Sequence, residues 1–343
     1  MSSDAPAVSA AAAARHAVSL RLPGKFETLE DLRFDLVTGP IAPGAPGDAI
    51  VEVHAAAVNP SDVKAALGMM PYAVFPRTPG RDFAGVVVDG PAELVGTAVF
   101  GSSGDLGIRR DGAHATHVSV APAALVTKPP GLSMDEAAGL GVPFVTAIEG
   151  FRRAGMPAPG DTVLIFGLSG RVGQAAAQVA LWLGARVIGV SRRPTVFEPL
   201  GGAQVELIDS SREDTLARVR DLTHGHGADI VFNTVGEPYY QLGVEAAALK
   251  GRLIFIASFR EPSAFDIFVF YRRQHTYVGV DTLALSSEES GARLRELLPG
   301  FSAGRLAPFA AEPNAIYALE DAAAAFRAVM EPSSPRIILR PRR

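Results

Sequence analysis

Apolar positions fall into two different rhythms along the chain. From about residue 17 to 140 they come in short runs broken by Gly and Pro: AIVEVHAAAV (49–58), GVVVDG (85–90), GTAVFG (96–101) and AHATHVSVAP (113–122). Such runs with turn residues at both ends predict a compact, mostly β domain. From VPFVTAIEGFRRAG (142–155) onward, helical patterns alternate with brief Val/Ile/Leu/Phe-rich runs. Those runs are TVLIFG (162–167), RVIGV (186–190), QVELID (204–209), DIVFNTVG (229–236), RLIFIAS (252–258) and TYVGV (276–280). Strands alternating with helices predict right-handed crossovers and a parallel sheet covered on both faces. Six of them make a complete doubly wound sheet. After residue 281, the helical segments EESGARLRELLPGF and LEDAAAAFRAVM lead to a last strand, RIILRP (336–341). No internal repeat of fixed period is present.

Length and composition narrow this further. A chain of 343 residues exceeds one ordinary core and predicts two domains. The net charge of −4, without a Lys/Arg block, excludes an electrostatic nucleic-acid surface. No apolar run approaches the roughly 18–20 residues of a membrane span. Residues 1–16 are small and polar and predict a disordered tail rather than a signal peptide. The absence of cysteine excludes disulfides and thiolate metal sites, and makes a reducing cytoplasm the expected compartment.

The strongest chemical signal is TVLIFGLSGRVGQAAAQVALWLG, a strand, a glycine turn and a helix. Glycine at 170 lets backbone approach a pyrophosphate, and Gly173 lets helix and sheet pack closely. Ser169, Gly170, Arg171 and Val172 are therefore candidate cofactor ligands at the positive end of the helix. A strict G-x-G-x-x-G fails, because Leu168 stands where the first glycine belongs, and a plain strand–helix turn is the alternative. The second strand should end beside the adenosine ribose. An acid there would accept from the 2′-hydroxyl. This chain instead offers Ser191, Arg192 and Arg193, a set suited to a 2′-phosphate. The expected cofactor is NADPH, and solvated loop arginines are the alternative.

VNPSDVKAALG (58–68), PGRDFAGVV (79–87), AAGLGVPFVTA (137–147), GLSGRVGQAAAQVA (167–180) and YRRQHTYVGVD (271–281), in this order, resemble the zinc-free medium-chain dehydrogenase/reductases, most of all the quinone oxidoreductase-like group. The resemblance implies an α/β fold: a six-stranded doubly wound parallel (Rossmann) sheet plus a GroES-like, partly open β-barrel catalytic domain built from both chain ends. The boundaries become 17–141 with 281–343 for the barrel and 142–280 for the NADP(H)-binding domain. Zinc members of the wider family use Cys and His ligands. Here the first ligand segment reads NPSD, and no zinc site is expected. His114, His117, His224 and His226 are expected as surface or turn residues.

By the same resemblance, Asn59 faces the nicotinamide and the substrate, and Tyr72 is a candidate proton donor or acceptor-binding phenol. Thr146 contacts the nicotinamide end. Asn233, Val235, Ser258 and Phe259 end the fourth and fifth strands beside the cofactor, and Tyr271 and Arg272 approach it from a loop. Turn, packing or core roles are the alternatives for these residues. Lys64 and Arg81 are expected as solvated charges. TYVGV would be an open apolar sheet edge, and the resemblance implies a homodimer joined there. The expected activity is NADPH-dependent, zinc-independent hydride transfer to a small electrophilic acceptor, a quinone or an α,β-unsaturated carbonyl compound. The alternative is a non-catalytic NADPH-binding structural or redox-sensing protein.

Overall fold

The structure is a computed structural model that describes residues 16–41, 44–70, 72–192, 205–332 and 334–342. The amino-terminal part is β-rich: β1 (His16–Arg21), β2 (Asp35–Pro40), β3 (Ala49–Ala57), β4 (Asp82–Asp89), β5 (Ala98–Ser102), β6 (His117–Val120) and β7 (Val126–Thr127), with one short helix, α1 (Pro60–Ala66). β1 and β2 form a separate antiparallel hairpin. The other five join β14 (Ile316–Ala318) and β15 (Ile338–Arg340) in a seven-stranded sheet of order β14-β15-β3-β4-β5-β7, with β6 on β3. The last strand thus joins the sheet of the amino-terminal part, beside β3.

The middle of the chain alternates strands and helices: β8 (Thr162–Phe166), α3 (Arg171–Trp182), β9 (Arg186–Ser191), β10 (Val205–Asp209), α4 (Thr215–Leu222), β11 (Ala228–Asn233), α5 (Tyr240–Ala246), β12 (Ala247–Phe255), α6 (Ile267–Arg273) and β13 (Thr276–Gly279). All neighbouring pairs are parallel, in the order β10-β9-β8-β11-β12-β13. The strand order reverses between β8 and β11, which opens the ligand crevice of such sheets at their carboxyl ends. β13 is the sheet edge.

The helix α2 (Met134–Ala154) joins the two sheets. It begins before residue 142 because Ser133 caps it: Ser133 Oγ accepts from Glu136 N, and Glu136 Oε2 accepts from Ser133 N at 2.8 Å. Its apolar side chains merge with both sheets in one core cluster, from Ala55 and Phe100 through Phe144 and Phe151 to Ile165, Phe232 and Ile338. Beyond the middle domain, α7 (Ser287–Ser302) packs against α2 and β5, and α8 (Ala322–Ala328) packs against β14 and β15.

The run AHATHVSVAP forms a strand only from His117, because its start is drawn into a glycine crossing. Ala113 N donates to Gly80 O and His114 N to Pro79 O. Gly80 has φ +104°, and a Cβ there would enter the His114 ring. His114 is accordingly buried, not at the surface. Its Nε2 lies 3.2 Å from Ala57 O, and burial pushes its pKa down to about 4.

Candidate active site

The glycine turn after β8 has the shape that close phosphate approach requires. Gly167 adopts φ +81°, and a Cβ on Gly173 would collide with the Gly167 carbonyl, so α3 lies against the turn. Gly170 is the N-cap residue of α3. Gln174 N makes the bond to Gly170 O, so the N–H groups of Arg171, Val172 and Gly173 precede the helical ladder. Leu168, where the fingerprint has glycine, turns into the core and fills the space that Gly189 leaves by lacking a Cβ. The departure from the fingerprint is thus absorbed by a second glycine on β9. Ser169 is half-buried, and its carbonyl accepts from Gln174 Nε2 at 3.3 Å.

Around this turn, Ser191 ends β9 half-buried and Arg192 is exposed beside it, while Arg193 lies outside the described residues. Asp209 is paired in register with Ser191, yet its carboxylate accepts from Ser211 N and Oγ at 2.9 and 2.6 Å. Asn233 is buried, and both ends of its amide shape the following loop. Its Oδ1 accepts from Val235 N and Gly236 N at 2.9 Å, and its Nδ2 donates to Gly236 O at 2.8 Å. Val235 is half-buried on that loop. Ser258 Oγ donates to Glu237, and Phe259 N donates to the same carboxylate at 2.7 Å. These bonds, that of Ser258 first, hold the Glu237 carboxyl down to about 2. Phe259 is 65% exposed and Tyr271 52% exposed. Tyr271 and Arg272 lie in α6 rather than in a loop, with the Arg272 guanidinium over the Phe268 and Tyr271 rings.

The second part of the site is a buried polar network where barrel, α2 and returning chain meet. Pro143 inside α2 has no N–H and presses on the carbonyl of Gly139. Gly139 O instead accepts from Arg336 Nε at 2.9 Å, and Val142 N donates to both Asp82 oxygens at 3.0 Å. Asp82 also accepts from Ser102 Oγ at 2.6 Å, Asn59 Nδ2 at 2.9 Å and Arg336 Nη2 at 2.9 Å. Arg336 Nη1 donates to Val58 O at 3.0 Å and Asn59 Oδ1 at 2.9 Å. The Asn59 amide is therefore oriented at both ends. Its backbone N donates to Asp62 Oδ2 at 2.8 Å. Asp62 is buried with Oδ1 unpartnered, and burial pushes its pKa up to about 6 against the pull of Arg81.

Arg81, expected as a solvated charge, is buried instead. Its Nε donates to Ser103 O at 2.8 Å, its Nη1 to Ser61 Oγ at 3.2 Å and its Nη2 to Thr282 O at 3.2 Å. These acceptors lie in three separate parts of the sequence, which no local pattern anticipates. Lys64 is half-buried in the last turn of α1. Thr146 is buried in α2 and donates to Val142 O at 2.7 Å. Tyr72 is 43% exposed, with the Arg109 guanidinium 4.7 Å from its ring centre. The sequence reading missed Asp62, Asp82 and Arg336. A proline inside a helical run, which frees a carbonyl, was the available signal.

These residues do not suit a zinc ion. The chain has no cysteine, the Asn59 amide and both Asp82 oxygens are committed to protein donors, and two buried guanidiniums put positive charge beside them. Among the described residues, no three His, Cys, Asp or Glu side chains converge. The glycine turn, by contrast, fits a dinucleotide: the close helix approach at Gly173 and the first-turn N–H groups form the required cradle.

Comparison with known proteins agrees with this architecture. Residues 45–130 match the alcohol dehydrogenase GroES-like domain, and residues 172–297 match the zinc-binding dehydrogenase family. A zinc-type alcohol dehydrogenase-like protein of Schizosaccharomyces pombe is 36% identical over 279 residues, covering 80% of this chain and 82% of that protein. A phthioceranic/hydroxyphthioceranic acid synthase of Mycobacterium tuberculosis is 33% identical over 82% of this chain, which spans 13% of that much longer protein. The solved Pseudomonas syringae quinone oxidoreductase is 26% identical with a TM-score of 0.76, covering 95% of this chain and all of that one. The chain belongs to the medium-chain dehydrogenase/reductase family. It is an oxidoreductase of that family, whose members bind a nicotinamide cofactor.

Proposed function

We propose that the protein is an NADPH-dependent, zinc-independent reductase that delivers hydride to a quinone or an α,β-unsaturated carbonyl compound. The observation that carries this reading is the saturated network at Asn59, Asp82 and Arg336, whose donors and charges leave no seat for a Lewis-acid metal. An acceptor in this site has to take up negative charge by its own conjugation. A bound, reduced nicotinamide supplies the hydride, and water supplies the balancing proton. Weak polarisation by hydrogen-bond donors then suffices. Similarity to a quinone oxidoreductase supports the reading.

In this reading the pyrophosphate lies at Ser169, Gly170, Arg171 and Val172, and the 2′-phosphate at Ser191, Arg192 and Arg193. Thr146, Asn233, Val235, Ser258 and Phe259 line the rest of the crevice. Asp82 and Arg336 orient the Asn59 amide toward the reacting end, and Tyr72 with Arg109 forms the mouth. Edge strand β13 and the exposed Phe265, Ile267, Phe268 and Tyr271 beside it form the contact of a homodimer. The protein acts in the cytoplasm. Among the described residues, no helix is long and apolar enough to cross a membrane.

NADPH oxidation should be followed with 1,4-benzoquinone and with short enones, each with and without a chelator. Turnover that the chelator leaves intact is expected, and the better acceptor class identifies the substrate. Tight NADPH binding without turnover of any acceptor would establish the non-catalytic alternative, and chelator-sensitive turnover would refute the metal-free mechanism.

A further inference from the structure

Arg81 is a buried cation whose hydrogen bonds all end on neutral oxygens. It is 2% exposed, and among the described residues it forms no ion pair within 4.0 Å. Asp82, Asp62, Asp281 and Asp105 support its charge from farther away, in that order, against the burial that disfavours it. Nε is anchored on Ser103 O, and Nη2 on Thr282 O and Oγ1. Nη1 donates to Ser61 Oγ at 3.2 Å. Thr282 follows the carboxyl end of β13, the side on which such sheets hold their ligands, and Ser61 stands next to Pro60 in the first turn of α1, just after Asn59. The guanidinium therefore joins the barrel to the crevice side of the parallel sheet.

Ser61 is half-buried, so its hydroxyl, unlike the guanidinium behind it, is open to a ligand. A hydroxyl accepts and donates at once. Arg81 fills the accepting role, and the Ser61 hydrogen has no acceptor among the described residues. Donation by a cation draws charge out of the O–H bond and makes it a stronger donor. One turn on along the same face of α1, Ala65 packs with Ile108 and Leu283, and Met70 and Ala73 close on them. This apolar wall beside the hydroxyl strengthens its hydrogen bond to any negative charge that develops there. We propose that Ser61 is a catalytic hydrogen-bond donor to the acceptor's carbonyl oxygen, and that Arg81 is the positioning residue that orients and polarises its hydroxyl. The proposal deepens the reductase reading above and rests on it. In an enone, hydride from the bound, reduced nicotinamide forms a C–H bond at the carbon β to the carbonyl, with the nicotinamide oxidised in the same step. The π pair moves onto the carbonyl oxygen, which becomes an oxyanion held by Ser61 Oγ–H. Water then protonates the enolate, and Ser61 keeps its own proton.

The test is the single-turnover rate of NADPH oxidation by a short enone and by 1,4-benzoquinone, with NADPH affinity from nicotinamide fluorescence and thermal unfolding as controls. Ser61→Ala should slow the enone reaction about 10²-fold, with NADPH affinity unchanged. The loss should be smaller with benzoquinone, which delocalises the new charge better by itself. Ser61→Thr, which restores a hydroxyl, should recover most of the rate. Arg81→Lys should slow the wild type but cost nothing further in the Ser61→Ala background, because Arg81 acts through that hydroxyl. If Arg81→Lys does not fold, the two Ser61 variants decide the matter. An enone rate within about twofold of wild type in Ser61→Ala would overturn the proposal. So would equal losses for both acceptors accompanied by weakened NADPH, which mark a structural role, and so would independent, additive losses from Arg81→Lys and Ser61→Ala. A wild type that binds NADPH but reduces neither acceptor would instead overturn the reductase reading itself.

Discussion

Replacing Asp62 by Asn isolates one buried ionisation. The Asp62 carboxyl is buried and its pKa is raised from 3.8 to about 6, chiefly by desolvation. The folded state therefore holds this proton more tightly than the unfolded chain. The resulting stabilisation is complete below the unfolded value and is lost as pH rises through about 6. The shift is roughly 2 units, or about 3 kcal/mol in full, of which about 2 kcal/mol falls between about pH 4.5 and about pH 7.5. His114 works in the opposite direction: its pKa is depressed from 6.5 to about 4, so its contribution is present above the unfolded value and is lost as pH falls toward about 4. The wild-type profile alone conceals both. The difference between wild type and Asp62→Asn removes His114, which is common to both proteins. It also removes the cost of the new amide, whose N–H groups replace the unpartnered Oδ1, since that cost does not vary with pH. Urea unfolding at the two pH values should thus show the wild type gaining about 2 kcal/mol on the variant as pH falls. Parallel profiles, within about 0.5 kcal/mol, would mean that Asp62 titrates normally and that its burial is offset by Arg81.

Three further outcomes follow from the same geometry. Asp82→Asn should cost about 3–5 kcal/mol in urea unfolding, because it leaves the buried Arg336 guanidinium without its counter-charge, and a loss below about 1 kcal/mol would refute that balance. Gly173→Ala sets a methyl against the Gly167 carbonyl and should lower NADPH affinity at least about tenfold in a protein that still unfolds cooperatively, whereas equal affinity would show that helix and turn do not need this approach. Arg192→Ala should weaken NADPH by about tenfold and leave NADH unchanged in fluorescence titration, and an equal loss for both would remove Arg192 from the 2′-phosphate site.

Much of the fold was legible in the chain because the relevant signals are local. The six apolar runs between 162 and 280 became the six parallel strands of one doubly wound sheet, and the returning run near 336 became β15. Boundaries moved where a tertiary contact outweighed the local pattern. The sequence around 113–116 has β character, but Gly80 and Pro79 take its N–H groups. α2 starts early because a capping box at Ser133 satisfies its first turn. The candidate site was legible in part. The glycine turn follows β8 and opens α3 as its sequence indicated, and the structure adds that the Asn59 amide is held at both ends by Asp82 and Arg336.

Apolar periodicity and glycine spacing therefore determined the class of the protein by themselves: a parallel nucleotide-type sheet, a β-rich companion and a strand–turn–helix open to phosphates. Those properties depend on neighbours within a few residues. Which charges are buried, and against what, was decided by tertiary structure alone. Arg81 reads as surface until Ser103 and Thr282 surround it, and Arg336 reads as the start of a strand until Asp82, Asn59 and Gly139 close on it. A buried guanidinium is tolerated only where acceptors from separate parts of the chain converge, and no single stretch of sequence contains that convergence.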